Sequence, residues 1–248
     1  VAILFLGFLL YDYLINRLLV DRKYVSAIIA LWLLSAYIVL PRLHRFFTRL
    51  YLPDYYIGRT RTSEGLLGDP VNIAFLGSKE AIMKNMKKAG WVEAEELNLQ
   101  STYKMIKASL LRKSYLNAPV SSLYLFGEKQ DFAFQQEVGG TTKKRHHIRF
   151  WKCPDDWLLP GGFNADYLAA ATYDEAVGFS LYTLQVTHRI QEDTDIERDY
   201  VIQTLQSSNK QVKVRTVENF STGYHCRNGG GDTISTDGNL PFVEISKA

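Results

Sequence analysis

TKKRHHIRFW, residues 142–151, is the stretch on which the fold turns. Successive side chains of an extended chain point to opposite faces, so His146, Ile148 and Phe150 fall on one side and His147, Arg149 and Trp151 on the other. Ile148 and Phe150 mark a core-facing side. His146 then caps that face, and His147 lies toward solvent or a second layer. Two histidines adjacent on a strand diverge, which argues against joint ligation of one metal ion. The stretch is read as a strand inside a sheet.

The segments around it carry compatible signals. VNIAFLG, from Val71, is a buried strand; Ser78 caps the helix KEAIMKNMKKAGW, which ends at Gly90. WVEAEEL is a short strand, and STYKMIKASLLRKSYL, 101–116, is a second helix. VSSLYLFGEKQDFAFQQEV holds two strands with a hairpin signal at Gly127–Gln130. LAAATYDEAVGFS forms a short helix or a strand, and FSLYTLQVTHRI alternates. TDIERDYVIQTLQ is a helix, while VKVRTVEN and FVEIS are late strands. The expected class is α+β, with a mixed, largely antiparallel sheet and helices.

The amino-terminal region is of another kind. Residues 1–20 are almost wholly apolar, interrupted by Asp12, Asn16 and Arg17, and residues 24–40 carry no charge. As helices, each is about 25 to 30 Å long, near the thickness of a hydrocarbon core. Two transmembrane helices, 1–20 and 24–40, are therefore expected as a hairpin. Asp12 is costly inside lipid unless paired, which suggests a helix–helix contact. A buried hairpin of a soluble protein is the competing reading. Pro41 is expected to end the second span. Residues 42–52, RLHRFFTRLYL, then place Leu43, Phe46, Phe47, Leu50 and Tyr51 against Arg42, Arg45 and Arg49, the pattern of an amphipathic interfacial helix whose arginines meet lipid headgroups. Residues 53–70, rich in Pro, Gly and charge, read as a linker, and 71–248 as the α+β domain. Basic residues after the second span favour cytoplasmic termini. Val1 is not a methionine, so the natural start is expected to lie elsewhere.

Composition narrows the classes. The chain has 248 residues and a formal net charge of +3, too little to argue for nucleic acid as a partner. Two cysteines, Cys153 and Cys226, do not make a disulfide framework. No cofactor is expected. The expected partners are the lipid bilayer and other membrane subunits reached through the hairpin.

Polar residues cluster at a few points. Thr194 and Glu197 have the spacing of a capping box, in which a hydroxyl and a carboxylate satisfy free amides at a helix start. Asp195 and Asp199, four apart with Arg198 between them, share a helix face near His188. With His146 and His147 they form the candidate polar site, read either as structural or as a cation- or phosphate-handling centre. The Gly-rich GYHCRNGGGDTISTDGN, 223–239, lacks the following helix and lysine of a phosphate loop and reads as turn chemistry. No metal ligand set stands out.

PVNIAFLGS, PVSSLYLFGEKQDFAFQ, RHHIRFW, THRIQEDTDIERD and GDTISTDG, in that order, resemble the motifs of the LssY C-terminal domain family over about residues 68–245. The positions matching its motifs are His146, His147, His188, Asp195, Glu197, Arg198, Asp199, Asp232 and Asp237. The resemblance implies a bacterial inner-membrane protein whose domain has no assigned activity. In that family the domain often adjoins DedA-type regions or type 2 phosphatidic acid phosphatase regions. Two spans are too few for the former, and the Arg-Pro and Ser-Gly-His motifs of the latter are absent, so phosphatase activity does not transfer. Two functions remain: a non-catalytic, membrane-anchored subunit or adaptor, and a metal-dependent hydrolase of a phosphorylated or lipid-derived substrate.

Overall fold

A computed structural model describes residues 11–13, 25–51, 58–95, 115–180, 184, 186–221 and 223–245. Of the two expected spans, the first lies outside the described residues apart from the helical Tyr11–Tyr13, where Asp12 is exposed. The second is a helix. It runs as α1 (Val25–Leu34), a π-helical turn (Ser35–Val39) and α2 (Leu40–Tyr51). Val25–Phe47, 23 residues, is long and apolar enough to cross a membrane, and only 11% of its most apolar stretch is buried. Pro41 does not end it. Proline removes an amide and crowds the carbonyl four residues back. Here the preceding turn is widened, with the Leu40 N–H on the Ser35 carbonyl, so the helix continues. The expected span and interfacial helix are thus one element, and Leu43, Phe46, Phe47 and Leu50 are exposed on it.

The rest is α+β. The strands are β1 (Arg59–Thr62), β2 (Leu67–Pro70), β3 (Ile73–Leu76), β4 (Val92–Glu93), β5 (Leu123–Leu125), β6 (Glu128–Lys129), β7 (Phe132–Val138), β8 (Thr141–Lys152), β9 (Tyr167–Phe179), β10 (Val186–Ile190), β11 (Lys213–Val217), β12 (Tyr224–Arg227), β13 (Thr233–Thr236) and β14 (Leu240–Glu244). Helices α3 (Lys79–Lys88) and α4 (Thr194–Ser208) complete the described set. The large sheet has the order β11-β14-β3-β9-β8-β7-β4, with β10 also on β9; β2-β1-β5-β6 form a smaller sheet and β12-β13 a hairpin. Among the described strands, only the β14–β3 pair is parallel.

TKKRHHIRFW lies in β8, a 12-residue strand paired on both sides, with β7 and β9. Its alternation holds, and both faces are covered. Ile148 and Phe150 lie under α3 and α4 in a core with Phe75, Phe134, Ile82 and Leu205. Phe150 stacks on Phe132 at 4.6 Å between ring centroids. Trp151 faces the other way, into a second core with Leu123 and Leu125 of the small sheet. In the neighbouring β9, Ala169, Ala170 and Ala171 are fully buried, so small side chains let both layers approach. Ser78 caps α3 by accepting from the Ala81 amide, as expected.

Residues 59–70 are not a linker. They form the β1–β2 hairpin, and Arg59, Thr60 and Asp69 are buried. The glycines and charges that suggested a linker serve a tight turn and interior ion pairs. The helix expected at 101–116 lies outside the described residues through position 114, and Tyr115 and Leu116, its expected end, are not helical. Cys153 and Cys226 are both free thiols.

If the hairpin is integral, a chain starting at residue 53 should unfold cooperatively in detergent-free buffer. A chain starting at Val71 should not, because Arg149 loses Asp69. Circular dichroism melts of the two fragments check this.

Candidate functional site

The polar residues form three groups, positioned by β8, β9 and the first turn of α4. The first lies between the sheets. On β8, Arg145, His147 and Arg149 alternate with the apolar core positions, and opposite them in register stand Asp174, Thr172 and Ala170 of β9. Arg149 donates from Nη1 to Asp69 Oδ2 at 2.7 Å, and to the Ser121 carbonyl and hydroxyl. Arg145 donates to Asp174 Oδ2 at 2.9 Å and to Gln135 Oε1 at 3.1 Å. The imidazole of His147 lies between these pairs. Its Nε2 is 2.7 Å from the Thr172 hydroxyl, and Nδ1 is 3.6 Å from Asp174 Oδ2. A proton on Nδ1, facing that carboxylate, leaves Nε2 to accept from Thr172. At 3.6 Å Nδ1 makes no full hydrogen bond, and it is buried without another partner.

Burial sets the electrostatics of this group. It pushes the Asp69 carboxyl up against the pull of Arg149. Burial would also raise Asp174, but the charge that His147 and His188 carry once protonated, together with the Arg145 guanidinium and its hydrogen bond, holds it below the usual carboxylate range. Burial drives His147 well below its ordinary value and also lowers His188, each partly offset by Asp174. Both imidazoles are therefore neutral at pH 7.

The second group is on the helix side. His146 Nδ1 is 2.7 Å from Glu197 Oε2. The ring stacks on Tyr200 at 4.1 Å and leans on Tyr173 at 4.7 Å. The His146 side chain is 20% exposed, and Glu197 is buried with Oε1 lacking a hydrogen-bond partner. Burial pushes Glu197 up to about 7, against the pull of His146. The capping box is thereby corrected. The N-cap is Asp193, whose carboxylate accepts from the Asp195 amide, and Thr194 donates to the Ser235 carbonyl. Glu197 points inward to His146 because the buried ring offers a stronger partner than a solvated amide.

The third group straps α4 to the loop after β13. Arg198 donates to both oxygens of Asp237, at 2.8 and 3.2 Å, and to Asp199 at 2.8 Å. Asp195 accepts from the Thr236 hydroxyl and the Asp237 amide. A shallow cleft of about 230 Å³ opens beside Arg198 and Asp199. Asp232 accepts from the Ile190 amide.

The candidate residues thus do not converge. His146 and His147 sit on opposite faces of the large sheet. Asp195, Arg198 and Asp199 belong to the strap, and His188 stands within electrostatic reach of His147 and Asp174. Among the described residues no group of three or more His, Cys, Asp or Glu side chains is arranged to hold a metal ion. Residues not singled out from the sequence include Asp69, Arg145, Arg149, Thr172, Asp174 and Asn72. Asn72 exchanges two hydrogen bonds with the Ala171 backbone and donates to the Thr194 carbonyl, fixing the start of α4. Two arginines flanking a histidine at spacing two on an apolar strand were the available signal: such a face needs acids, and GDP at 68–70 and YDE at 173–175 supply them.

This arrangement of a sheet covered by two helices and a small second sheet, with the HH strand at its centre, carries the motifs of one family. Residues 49–240 match the family model described as LssY C-terminus, and the chain belongs to that family. No curated protein and no solved structure gives a significant match.

Two predictions follow from the geometry. Asp69→Asn or Arg149→Met alone should cost about 3 to 5 kcal/mol, each leaving a buried partner unpaired, while the double variant recovers part of the loss; urea unfolding measures all three. The second concerns pH. His147 and His188 have lowered pKa values, so their contribution is present above 6.5 and is lost as pH falls. Glu197 is raised from 4.5 to about 7, so its contribution is present at low pH and lost as pH rises through 7. Between pH 7 and 5 the two oppose each other. Glu197→Gln should therefore lose more stability than the wild type on acidification from 7 to 5, read as the shift in urea midpoint.

Proposed function

We propose that the chain is a membrane-anchored, non-catalytic subunit that presents its LssY-type domain at the bilayer surface to a larger assembly. The observation that carries this reading is how the interior charges are used. Asp69, Arg145, Arg149 and Asp174 are spent on one another inside the protein. A site that turns over substrate needs groups aimed at a space where a reacting atom can sit. The Arg198 cluster likewise ties α4 to its neighbouring loop. The apolar helix supports the anchor: Ile29, Leu33, Leu34, Ile38 and Val39 are about half exposed, more contiguous apolar surface than a soluble monomer ordinarily shows. Arg42 and Arg45 fold back onto the Ile38 and Pro41 carbonyls, near where the apolar stretch ends, and with Arg49 they suit the headgroup layer. Asp12 is the group that would contact a partner's helix within lipid. On this reading the protein lies in a bacterial inner membrane with the domain on the cytoplasmic side.

A second reading rests on the His146–Glu197 pair. A buried carboxylate on Nδ1 orients the imidazole and leaves its other nitrogen free to take a proton, an arrangement suited to a hydrolase acting on a phosphorylated or lipid-derived substrate.

One experiment separates the two. The detergent-purified chain is incubated with p-nitrophenyl phosphate, bis-p-nitrophenyl phosphate and phosphatidic acid, with and without zinc or manganese, while its Tm is followed. The subunit reading expects no turnover and an unchanged Tm. Turnover removed by His146→Ala or Glu197→Gln, or a metal-dependent rise in Tm removed by His188→Ala or Asp195→Ala, overturns it.

A further inference from the structure

LFGE, residues 125–128, makes the two-residue turn between β5 and β6. Leu125 and Glu128 stand opposite in register, and Phe126 and Gly127 both have positive φ, 55° and 81°. Such a turn favours Asn or Asp before the glycine, because a bulky side chain is strained in the left-handed region. A phenyl ring at this position costs stability that its packing must offset. It lies edge-on to Trp157, at 5.5 Å between ring centroids. Trp157 follows CPDD, the segment in which the chain leaves β8.

These two segments border a cleft of about 280 Å³. Leu125, Phe126 and Trp151 line it, and the exposed Glu128, Asp131 and Asp155 surround it. Lys152 is the cation of the lining, with its ammonium 3.0 Å from Asp155 and its amide donating to Asp131. Three carboxylates to one ammonium make an acidic patch on a chain whose formal net charge is +3. The indole N–H groups of Trp151 and Trp157 are buried here, and among the described residues neither has an acceptor. A buried donor without an acceptor is unfavourable.

The cleft is at the far end of the sheet from the apolar helix. Trp32 of α1 donates to the Leu184 carbonyl, beyond the end of β9, whereas Trp151 pairs in register with Leu168, near its start. Leu168 to Phe179 spans roughly 35 Å of strand at about 3.3 Å per residue.

We infer that this cleft is where a partner protein docks, by inserting one arginine side chain from a segment outside the bilayer. The inference rests on the subunit reading above and names the surface that reading requires. The volume is below that of ordinary small-molecule pockets and suits one long side chain. Arginine fits the lining better than lysine. Its planar guanidinium stacks on aromatic rings and pairs edge-on with carboxylates, whereas an ammonium is a strongly hydrated point charge. The backbone of the inserted segment also brings carbonyl acceptors to a wall that holds unpaired indole donors. Arginine seated in an aromatic-lined pocket is a common anchor of protein interfaces. Anionic lipid and nucleic acid are repelled by the same carboxylates.

The test uses the full chain in detergent micelles, with its four tryptophans isotope-labelled at the indole nitrogen and read by NMR. Trp→Phe variants assign the signals; should Trp151→Phe not fold, its signal is the one left when the others are assigned. The probes are capped peptides Gly-Gly-X-Gly-Gly with arginine, lysine or citrulline as X. The arginine peptide should shift the Trp151 and Trp157 signals saturably and leave Trp32 and Trp91 in place. The lysine peptide should bind several-fold more weakly, and the citrulline peptide, which keeps the shape without the charge, at least about 10-fold more weakly. Glu128→Gln with Asp155→Asn, both at exposed positions, should weaken the arginine peptide several-fold. Signals of Trp151 and Trp157 that stay unmoved at millimolar arginine peptide overturn the inference, as does equal binding of the citrulline peptide. Equal binding of the lysine peptide overturns the choice of arginine. A shift of Trp32 alone places the peptide at the micelle and overturns the inference too. Turnover in the phosphate assays above sinks the subunit reading and leaves this titration unchanged, so the two failures are distinguishable.

Discussion

The ion pair between Asp69 and Arg149 is the constraint from which much of the domain follows. It joins the small sheet to the centre of the large one at 2.7 Å. Two charges taken out of water cost several kcal/mol each unless each is matched by hydrogen bonds. The surroundings are built to that requirement. Arg149 has Ser121 as well as Asp69, while Arg145 has Asp174 and Gln135. Gln135 is held in turn by the Leu116 and Ala118 carbonyls. The chain before β5 is therefore placed by the same network that places β2. An apolar interior would be more forgiving; this one tolerates few alternatives, because any shift of β1–β2 over β8 strands a charge.

Adjacent histidines on β8 divide the labour across the sheet. His147 is committed to the dry network, and His146 to α4 through Glu197. That helix is fixed chiefly at its beginning. Asn72 and Ser235 hold Thr194, the Asp237 loop holds Arg198 and Asp195, and His146 holds Glu197. Further along, contact is mainly apolar, through Val201 and Leu205. The acids from Asp193 to Asp199 are thereby explained without a ligand: they accept from a helix amide, a histidine, an arginine and a neighbouring loop.

The alternation of His146 to Trp151 was legible because a strand's period of two is independent of its surroundings. The cap at Ser78, the helix at 194–208 and the α+β class were legible for similar local reasons. Much of what failed depended on partners distant in sequence. The Thr194–Glu197 spacing satisfies a capping box, yet Glu197 finds a histidine 51 residues away. Arg59 to Pro70 looks like a linker by composition. Its glycine serves close approach instead: a Cβ on Gly68 would lie 2.7 Å from the Thr60 hydroxyl. Pro41 should stop a helix, and does not, because one widened turn absorbs its ring. The acids Asp69 and Asp174 were invisible as a pair, since nothing local to GDP or YDE says that they flank one imidazole.

The same network limits how freely the domain can move relative to the apolar helix. Helix α2 runs to Tyr51, and Arg59 is already inside the domain, donating to the Gly68 carbonyl, to the Arg227 carbonyl and to Cys226 Sγ. From Tyr51 to Gly58 an extended chain reaches at most about 25 Å. A connection that short, fastened at the domain end by a buried guanidinium, keeps the domain close to the end of α2. The buried Ala36 and the Trp32–Leu184 hydrogen bond give the same result from the helix side. The helix therefore meets the domain at the Leu184 carbonyl, between β9 and β10, the strands that also carry Asp174 and His188.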